Sequence, residues 1–282
     1  MADAYIVVLD VAADVVRALL FDSGARRMEG YAAQLPRRAD AVLDCLDEMH
    51  RLVQAAGFPV AALVGRAESE LTAEDRTLWP GFEGAAWFPS LPEGAGVVLG
   101  SGCVGSEQVA LVMGEASMVG TVMDRPVSLE GLTCIEIDEK RWLVSGAVPE
   151  AGAAYSSFKH AIKGSVEKYL ESAAEGDPLV QGLDKAARRF REVYEKLAGH
   201  GPAPPEVIAC GGALLRSPSL AQRIADAVGG SLTLSTEPEA GSRGAALWAL
   251  ERVGAINDLR ELPASMGAVF QAKLGVMARH SE

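Results

Sequence analysis

The chain has 282 residues, of which 49% are apolar and 23% charged, a composition typical of a globular protein of one large or two small domains. Its formal net charge is −12, so we expect neither nucleic acid nor an anionic membrane as a partner, because both require a basic surface. No apolar run reaches about 18 residues and the four cysteines lack CxxC spacing, which predicts a cytoplasmic protein with reduced thiols and no membrane span.

The first 65 residues predict the element order β-β-β-α-β. The four predicted strands are residues 4–9, 15–22, 30–35 and 59–65. Residues 40–56 are predicted as the helix, since Leu46, Met49 and Val53 recur at helical spacing and Gly57 ends the run. Residues 66–92 are rich in Pro, Gly and Trp, which indicates a joint rather than a regular element.

The second half repeats this scheme of strands followed by helices. The predicted strands are residues 108–113, 118–123, 133–137 and 141–144, and the predicted helices are residues 155–173 and 183–198. A Pro- and Gly-rich hinge is predicted at residues 199–205. Residues after Leu262 are predicted as an irregular tail with a short helix.

The stretch 207–255 is the most informative part of the sequence. Its apolar run VIA ends at Gly211 and Gly212, and an amphipathic helix follows, with Leu220, Ile224 and Val228 on one face. A strand that ends in two glycines lets the backbone approach a ligand at the edge of a sheet. An ordinary αβ unit with a tight turn is the alternative interpretation.

Four pieces of this stretch, GGALLRSP, IADAVGG, EPEAGSRGAAL and VGAI, resemble the C-terminal domain of FGGY-family carbohydrate kinases, most closely their gluconokinase branch. The resemblance implies that Gly211, Gly212 and Ser217 lie at an adenine-nucleotide site, with ATP/ADP and Mg²⁺ as cofactors. The small residues of SRGAA predict a closely packed helix.

The resemblance also implies the fold class. We expect an α/β actin-like ATPase (ribonuclease H-like) fold with two related halves, the first of them truncated. The predicted domains are residues 1–92, a truncated N-terminal actin-like domain, and residues 93–282, an FGGY-like nucleotide-binding domain.

The opening hairpin, LDVAADVVRALLFD, matches the family at Asp10, which is expected in the Mg²⁺ environment and in catalysis. The family has Gly-Thr-Ser/Thr where this chain has Ala12, Ala13 and Asp14. The hydroxyls are therefore lost, and a negative charge is added where phosphate would lie, which weakens phosphate binding. A turn carboxylate without function is the alternative for Asp10.

The general base of the family lies in an Asp-Gly-Ala motif, and Glu93 stands at the position of that aspartate in WFPSLPEGAGVVLGSGC. Glu93 is therefore the predicted catalytic base, one methylene longer than the family residue. The alternative for Glu93 is a solvated turn residue.

The second phosphate loop of the family, Gly-Thr-Ser-Gly-Ala, corresponds to Gly114, Glu115, Ala116 and Ser117. The resemblance makes Gly114 and Ser117 candidate nucleotide contacts. A hairpin without a ligand is the favoured alternative, since a carboxylate replaces a hydroxyl here.

Two segments that carry much of the sugar pocket in the family, a His-Ser segment and a Gly-Glu-Arg-Ser segment, are not found in this chain. The resemblance supports a first hypothesis, a gluconokinase-like kinase that phosphorylates a sugar or sugar acid. The second is a catalytically degenerate pseudokinase that binds a nucleotide or a protein partner. A third, weaker one is an interaction subunit that uses an exposed joint around Trp79, Trp87 and Phe88. The sequence also admits a homo-oligomer.

Overall fold

The computed structural model describes residues 4–66, 78–92, 94–114, 116–161, 165–200 and 205–273. These residues belong to two compact units. Unit 1 combines residues 1–100 with residues 239–263, and unit 2 combines residues 101–238 with residues 264–282. The chain therefore leaves unit 1 after Gly100 and returns to it at Glu239, while the predicted boundary between residues 92 and 93 stays a prediction.

Among its described residues, unit 1 contains one five-stranded sheet and three α-helices. Its elements are β1 (Tyr5–Val11), β2 (Val15–Phe21), β3 (Arg27–Pro36), α1 (Ala41–Ala56), β4 (Val60–Val64), β5 (Ala86–Phe88), α2 (Ala95–Gly100) and α8 (Ala240–Arg252). The strand order is β3-β2-β1-β4-β5. Strands β1, β2 and β3 form an antiparallel meander, and α1 then connects to β4, which runs parallel to β1.

The helix α1 covers this sheet with the apolar side that its sequence predicts. Leu46, Met49 and Val53 are fully buried in one core cluster with residues of the sheet, and Gly57 ends the helix in the left-handed conformation. The predicted β-β-β-α-β order is thus confirmed, because local periodicity and burial favour the same elements here.

The predicted joint at residues 66–92 contains a short strand, β5, and a 3-10 turn at Pro80–Phe82, while residues 67–77 lie outside the described part. Trp79 is only 2% exposed, and its Nε1 donates a hydrogen bond to Asp47 at 2.5 Å. The Trp79 ring stacks on Trp87, and Phe88 packs against Trp248. The prediction of an exposed aromatic surface at this joint is therefore wrong, because Trp79 belongs to the core of unit 1.

Helix α8 crosses α2 at glycines on both helices. A Cβ on Gly244 would lie 1.9 Å from the carbonyl oxygen of Gly96, and one on Gly100 would lie 1.8 Å from that of Ala240. Only glycine permits backbones to approach this closely. The close packing predicted from SRGAA is confirmed, and it joins the returning segment of the chain to unit 1.

Unit 2 contains a seven-stranded sheet and five helices among its described residues. Its elements are β6 (Gln108–Val112), β7 (Met118–Met123), β8 (Thr133–Asp138), β9 (Arg141–Ala147), α3 (Pro149–Ala161), α4 (Val166–Ser172), α5 (Pro178–Ala198), β10 (Glu206–Cys210), α6 (Gly212–Leu215), α7 (Pro218–Val228), β11 (Ser231–Ser235) and β12 (Met266–Gln271). The strand order is β12-β11-β10-β6-β7-β9-β8, with β6, β10 and β11 parallel to one another.

Two predictions for unit 2 are wrong. The single helix predicted at residues 155–173 is two helices, α3 and α4, because Ser165 before α4 has an extended backbone. The tail predicted as irregular with a short helix contains β12, which pairs with β11 in antiparallel register. Its pairing partner lies about 35 residues earlier in the sequence, so local periodicity does not reveal this strand.

The cysteines agree with the reduced thiols that the sequence predicts. All four are free, and Cys134 is the partly exposed one. Burial raises the pKa of the Cys103 and Cys210 thiols to about 12, so both stay protonated at neutral pH. Across the described ranges, no helix combines the length and the apolar character that crossing a membrane requires.

Candidate functional site

The carboxyl ends of the parallel strands β6 and β10 of unit 2 lie side by side, because the two strands pair from Glu206↔Gln108 to Cys210↔Val112. The chain turns at Gly114 after β6 and at Gly211 after β10. In open α/β sheets, ligands bind at this edge. The topology therefore brings the predicted residues Gly114, Gly211 and Gly212 to one edge of the sheet of unit 2.

The glycine turn, Gly211–Gly212, has a backbone that requires glycine. Gly211 has φ +117°, and a Cβ there would stand 2.2 Å from the carbonyl oxygen of Met113. The Met113 N–H donates to the carbonyl of Cys210 at 3.0 Å, which holds the two strand ends together. Position 211 therefore requires glycine, because the backbone of Met113 occupies the space that a side chain would need.

Arg216 adds a positive charge beside the glycine turn. A Cβ on Gly212 would lie 3.3 Å from a terminal nitrogen of the Arg216 guanidinium. A guanidinium donates in a planar fork that suits phosphate oxygens. Arg216 lies within GGALLRSP, but no role was predicted for it from the sequence.

The serine turn, residues 114–117, is closed by its own side chain. The Ser117 hydroxyl donates to the carbonyl of Gly114 at 2.8 Å and accepts from the Gly114 N–H at 3.2 Å. Ser117 is 3% exposed. The hydroxyl predicted to contact a nucleotide therefore stabilises the turn, and Glu115 lies outside the described residues.

Ser217 begins helix α7 as its N-cap, with its hydroxyl accepting from the Leu220 N–H at 3.3 Å. The same hydroxyl donates to a carboxylate oxygen of Glu167 on α4 at 2.7 Å. Glu167 also accepts from the Ser219 hydroxyl at 2.6 Å and from the Ser219 N–H at 3.0 Å. Glu167 thus completes the cap of α7, a role that no local sequence signal shows.

The environment of Glu167 favours its charged form. Burial raises its pKa, but the hydrogen bonds from Ser219 and Ser217 outweigh burial, and the net pKa lies below the ordinary value. Beside this cap lies an open groove of about 510 Å³ between α4, α7 and β12. Its walls include apolar residues, Leu170, Pro218 and Phe270, and polar ones, Glu167, Ser219 and Gln222.

In unit 1, Asp10 lies near the carboxyl end of β1 and forms an ion pair with Arg17 on β2. The Arg17 Nε donates to Asp10 Oδ2 at 3.1 Å, and one terminal nitrogen donates to the same oxygen. The other terminal nitrogen donates to both oxygens of Glu239 at 3.2 and 3.1 Å. Arg27 also donates to Glu239, at 3.3 Å.

These four residues, Asp10, Arg17, Arg27 and Glu239, form the ion network of unit 1. Burial lowers the pKa of Arg17, but its bonds to Asp10 and its attraction to Glu239 outweigh burial and raise it overall. Two positive and two negative charges make the network neutral. No role was predicted from the sequence for Arg17, Arg27 or Glu239.

The residues of the ion network fit a hydrated Mg²⁺. Both bonds from Arg17 end on Asp10 Oδ2, which leaves Oδ1 without a bond to a described residue. No group of three or more His, Cys, Asp or Glu side chains in the described part of the chain could hold a metal by itself. Mg²⁺ is commonly bound by one or two carboxylates plus phosphates and waters, so a single oxygen suffices.

The hairpin turn after β1 is closed by backbone bonds. The Ala12 N–H donates to the Val15 carbonyl, and the backbone N–H of Arg37 donates to the Asp14 carbonyl at 2.9 Å. The Arg37 guanidinium adds a side-chain bond to the Ala12 carbonyl at 3.0 Å. The Asp14 side chain is exposed. A carboxylate thus stands on the turn where the family has hydroxyls.

The predicted site residues fall into three groups. Gly114, Ser117, Gly211, Gly212 and Ser217 lie in unit 2, Asp10 lies in unit 1, and Glu93 lies outside the described residues. Their functional roles stay predictions.

No protein-family model matches the chain. No curated protein matches it either.

Solved structures, in contrast, resemble the chain over nearly its whole length. The gluconate kinase of Lactobacillus acidophilus has a TM-score of 0.73 at 12% identity, covering 96% of this chain and 94% of that chain. The ligand-bound xylulose kinase of the same organism has a TM-score of 0.74 with the same identity and coverage. The glycerol kinase of Plasmodium falciparum, solved with ADP, has a TM-score of 0.68 at 8% identity and the same coverage.

The chain has the fold of the FGGY-family carbohydrate kinases. The predicted fold class, an actin-like α/β fold with two sheets, is confirmed. Within this fold, the glycine turn of unit 2 follows a strand that runs parallel to a neighbour, and Asp10 of unit 1 lies near the end of such a strand.

Proposed function

We propose that the chain is a kinase homologue that binds an adenine nucleotide and transfers its terminal phosphoryl group to a hydroxyl of a sugar or sugar acid. The observation that carries this proposal is the glycine turn at Gly211 and Gly212, which lies at the strand ends of a fold shared with carbohydrate kinases. A gluconokinase-like substrate preference and a cytoplasmic location are parts of the same proposal.

The nucleotide would bind along the strand ends of unit 2. Gly211 and Gly212 would lie against the adenosine side, because their backbone offers a surface free of Cβ atoms. Ser217 and its partner Glu167 would bound this region at the start of α7, and Arg216 would provide a donor for a phosphate. Gly114 and Ser117 would shape the neighbouring turn through the bonds that close it.

The magnesium ion would be held at Asp10 in unit 1. Its Oδ1 atom would accept from a water of the hydrated ion, while Arg17 keeps Oδ2 occupied. When bound, Mg²⁺ neutralises charge on the phosphates and polarises the transferred group. Glu93 is proposed as the base that takes the proton of the attacking hydroxyl, on its resemblance alone.

A non-catalytic nucleotide-binding relative is the second candidate, and two observations favour it. The Ser117 hydroxyl and the Gly114 N–H are bonded to each other rather than directed outward. Asp14 adds a carboxylate at the hairpin turn where a phosphate would lie. Loss of a single charge-stabilising donor costs about 10²–10³ in rate in well-studied enzymes, so both changes together would suppress turnover.

Isothermal titration calorimetry with ATP and ADP, with and without Mg²⁺, tests the proposal. If the chain is an active kinase, we expect ATP with Mg²⁺ to bind at least as tightly as ADP. An assay of ADP release with sugar acids, ketoses and polyols should then give turnover. ADP binding with clearly weaker ATP, and no turnover, would support the non-catalytic candidate. Absence of binding by both nucleotides would refute both and direct the search to protein partners.

A further inference from the structure

Glu239 is placed where the chain re-enters unit 1, directly before helix α8. Its side chain is 20% exposed, and both of its oxygens accept hydrogen bonds from one terminal nitrogen of Arg17. The opposite edge of the Arg17 guanidinium, Nε and the second terminal nitrogen, donates to Asp10. Arg17 is therefore held between two carboxylates that are far apart in sequence.

The bonds on Asp10 are unevenly shared between its two oxygens. Both nitrogens of Arg17 donate to Oδ2, and neither donates to Oδ1. An arginine with a single carboxylate partner tends to bond both oxygens through a two-pronged fork. The hydrogen bonds from the other terminal nitrogen of Arg17 to Glu239 oppose that two-pronged arrangement, so Oδ1 of Asp10 receives no bond from Arg17.

Two partners also restrict the motion of Arg17. Asp10 and Arg17 are about 30% exposed, and an isolated pair at such exposure contributes little stability and samples several geometries. A second carboxylate on the remaining nitrogen fixes the guanidinium in one orientation. Arg27 balances the additional negative charge of Glu239.

We infer that Glu239 is a positioning residue, which holds Arg17 so that Oδ1 of Asp10 stays available to a hydrated Mg²⁺. The inference rests on the proposed function for the identity of the incoming group, Mg²⁺ with ATP. The orientation of Arg17 between Asp10 and Glu239 does not depend on any ligand.

The consequence of removing Glu239 follows from the preference of guanidinium for a fork. Without the second carboxylate, Arg17 turns to bond both Asp10 oxygens, and Oδ1 is no longer open to the ion. The binding of ATP without Mg²⁺ keeps its affinity, because Glu239 acts only through Arg17 and Asp10 on the site of the ion. Mutation of residues that orient metal ligands typically costs about 10–100-fold in metal affinity.

The binding experiment compares wild type with Glu239→Ala, Glu239→Gln and the control Glu48→Gln. Glu48 pairs with Arg51 on α1, so its substitution makes the same charge change within unit 1. Calorimetry gives the ratio of ATP affinities with and without Mg²⁺. We expect Glu239→Ala to lower this ratio about tenfold, Glu239→Gln to lower it less because an acceptor oxygen remains, and Glu48→Gln to keep it. A wild-type ratio in Glu239→Ala with normal ATP binding would overturn the inference.

A second measurement separates this inference from the proposed function. Crystal structures of wild type and Glu239→Ala, both without nucleotide, show the guanidinium directly. We expect Arg17 to donate both hydrogen bonds to Oδ2 of Asp10 in wild type, and to bond both Oδ1 and Oδ2 of Asp10 in the variant. If Arg17 keeps its wild-type orientation in the variant, the inference fails even if ATP binds. If wild type binds no ATP, the proposed function fails, and the two crystal structures still decide the role of Glu239.

Discussion

Gly65 lies against the carbonyl oxygen of Leu9, so closely that a Cβ on residue 65 would stand 2.5 Å from that oxygen. Gly211 has the same relationship to Met113 in unit 2, at 2.2 Å. The two glycines have φ values of +118° and +117°. In each unit, a glycine thus follows a parallel strand and contacts a residue near the end of the neighbouring strand, which is the internal repeat expected of two related halves.

We predict that Gly211→Ala destabilises the protein and abolishes nucleotide binding. Alanine at this φ costs about 1–3 kcal/mol in backbone strain, and the contact with the Met113 oxygen forces the two strand ends apart. Urea unfolding gives the loss in the free energy of unfolding, and calorimetry with ADP gives the loss in binding. Gly230→Ala is the control, since a Cβ there meets nothing within 4 Å. Equal unfolding curves for both variants would contradict this prediction.

The contact between α2 and α8 predicts different effects on stability for substitutions of two glycines of α8. Gly244→Ala places a Cβ 1.9 Å from a backbone oxygen of α2, so the helices must separate, and overpacking of this kind typically costs about 1–3 kcal/mol or more. Gly241→Ala, three residues earlier, meets only the Val97 side chain at 3.5 Å. It should be neutral or stabilise by up to about 1 kcal/mol.

Thermal unfolding of these two variants checks the prediction, with the melting temperature lower for Gly244→Ala and unchanged or higher for Gly241→Ala. If both substitutions have the same effect, the close approach of α2 and α8 does not determine the stability of unit 1.

The parts of the fold that the sequence predicts are those in which local pattern and burial agree. Helix α1 and helix α5 have an apolar face at helical spacing, and both were predicted within a few residues of their ends, except that α5 begins five residues earlier. The missed elements have other causes. Helix α2 has six residues, two of them the glycines Gly96 and Gly100, and its conformation depends on packing against α8. Strand β12 depends on its pairing with β11.

The candidate site divides in the same way. Glycine turns are visible in sequence, so Gly211 and Gly212 could be found. The second partner of Arg17 and the partner of Ser217 could not, because Glu239 lies 222 residues from Arg17 and Glu167 lies 50 residues from Ser217. Ser117 could be found as a residue, but its bond to the Gly114 carbonyl follows from the turn geometry rather than from its type.

The cap that Glu167 forms on α7 predicts a pH dependence at the acidic end. The pKa of Glu167 is lower in the folded protein, so the carboxylate contributes stability above the ordinary glutamate value of about 4.3 and loses it as the pH falls through the lower, folded value. Glu167→Gln should remove this part of the acid dependence and lower the stability at neutral pH. Glu171→Gln, on the exposed side of the same helix, should change neither. The measurement is urea unfolding from neutral pH down to about one unit below the ordinary pKa of glutamate.

His50 predicts a pH dependence in a higher range. Its Nε2 accepts a hydrogen bond from the Gly81 N–H at 2.8 Å, so this nitrogen must be unprotonated, and the ring packs edge-on against Phe82. Burial lowers the pKa of His50, and the charge of Asp47 opposes this shift only in part. Because the folded state favours neutral imidazole, stability is complete above the ordinary histidine value of about 6.5 and falls as the pH drops below it.

The test is thermal unfolding from neutral pH to about one or two units below the histidine reference value, on wild type, His50→Gln and His160→Gln. His50→Gln offers an amide oxygen to the Gly81 N–H and carries no titrating group, so its melting temperature should depend less on pH in this range. His160 is exposed, and its substitution should leave the wild-type profile. A profile for His50→Gln that parallels wild type would show that the bond to Gly81 does not link protonation to the stability of unit 1.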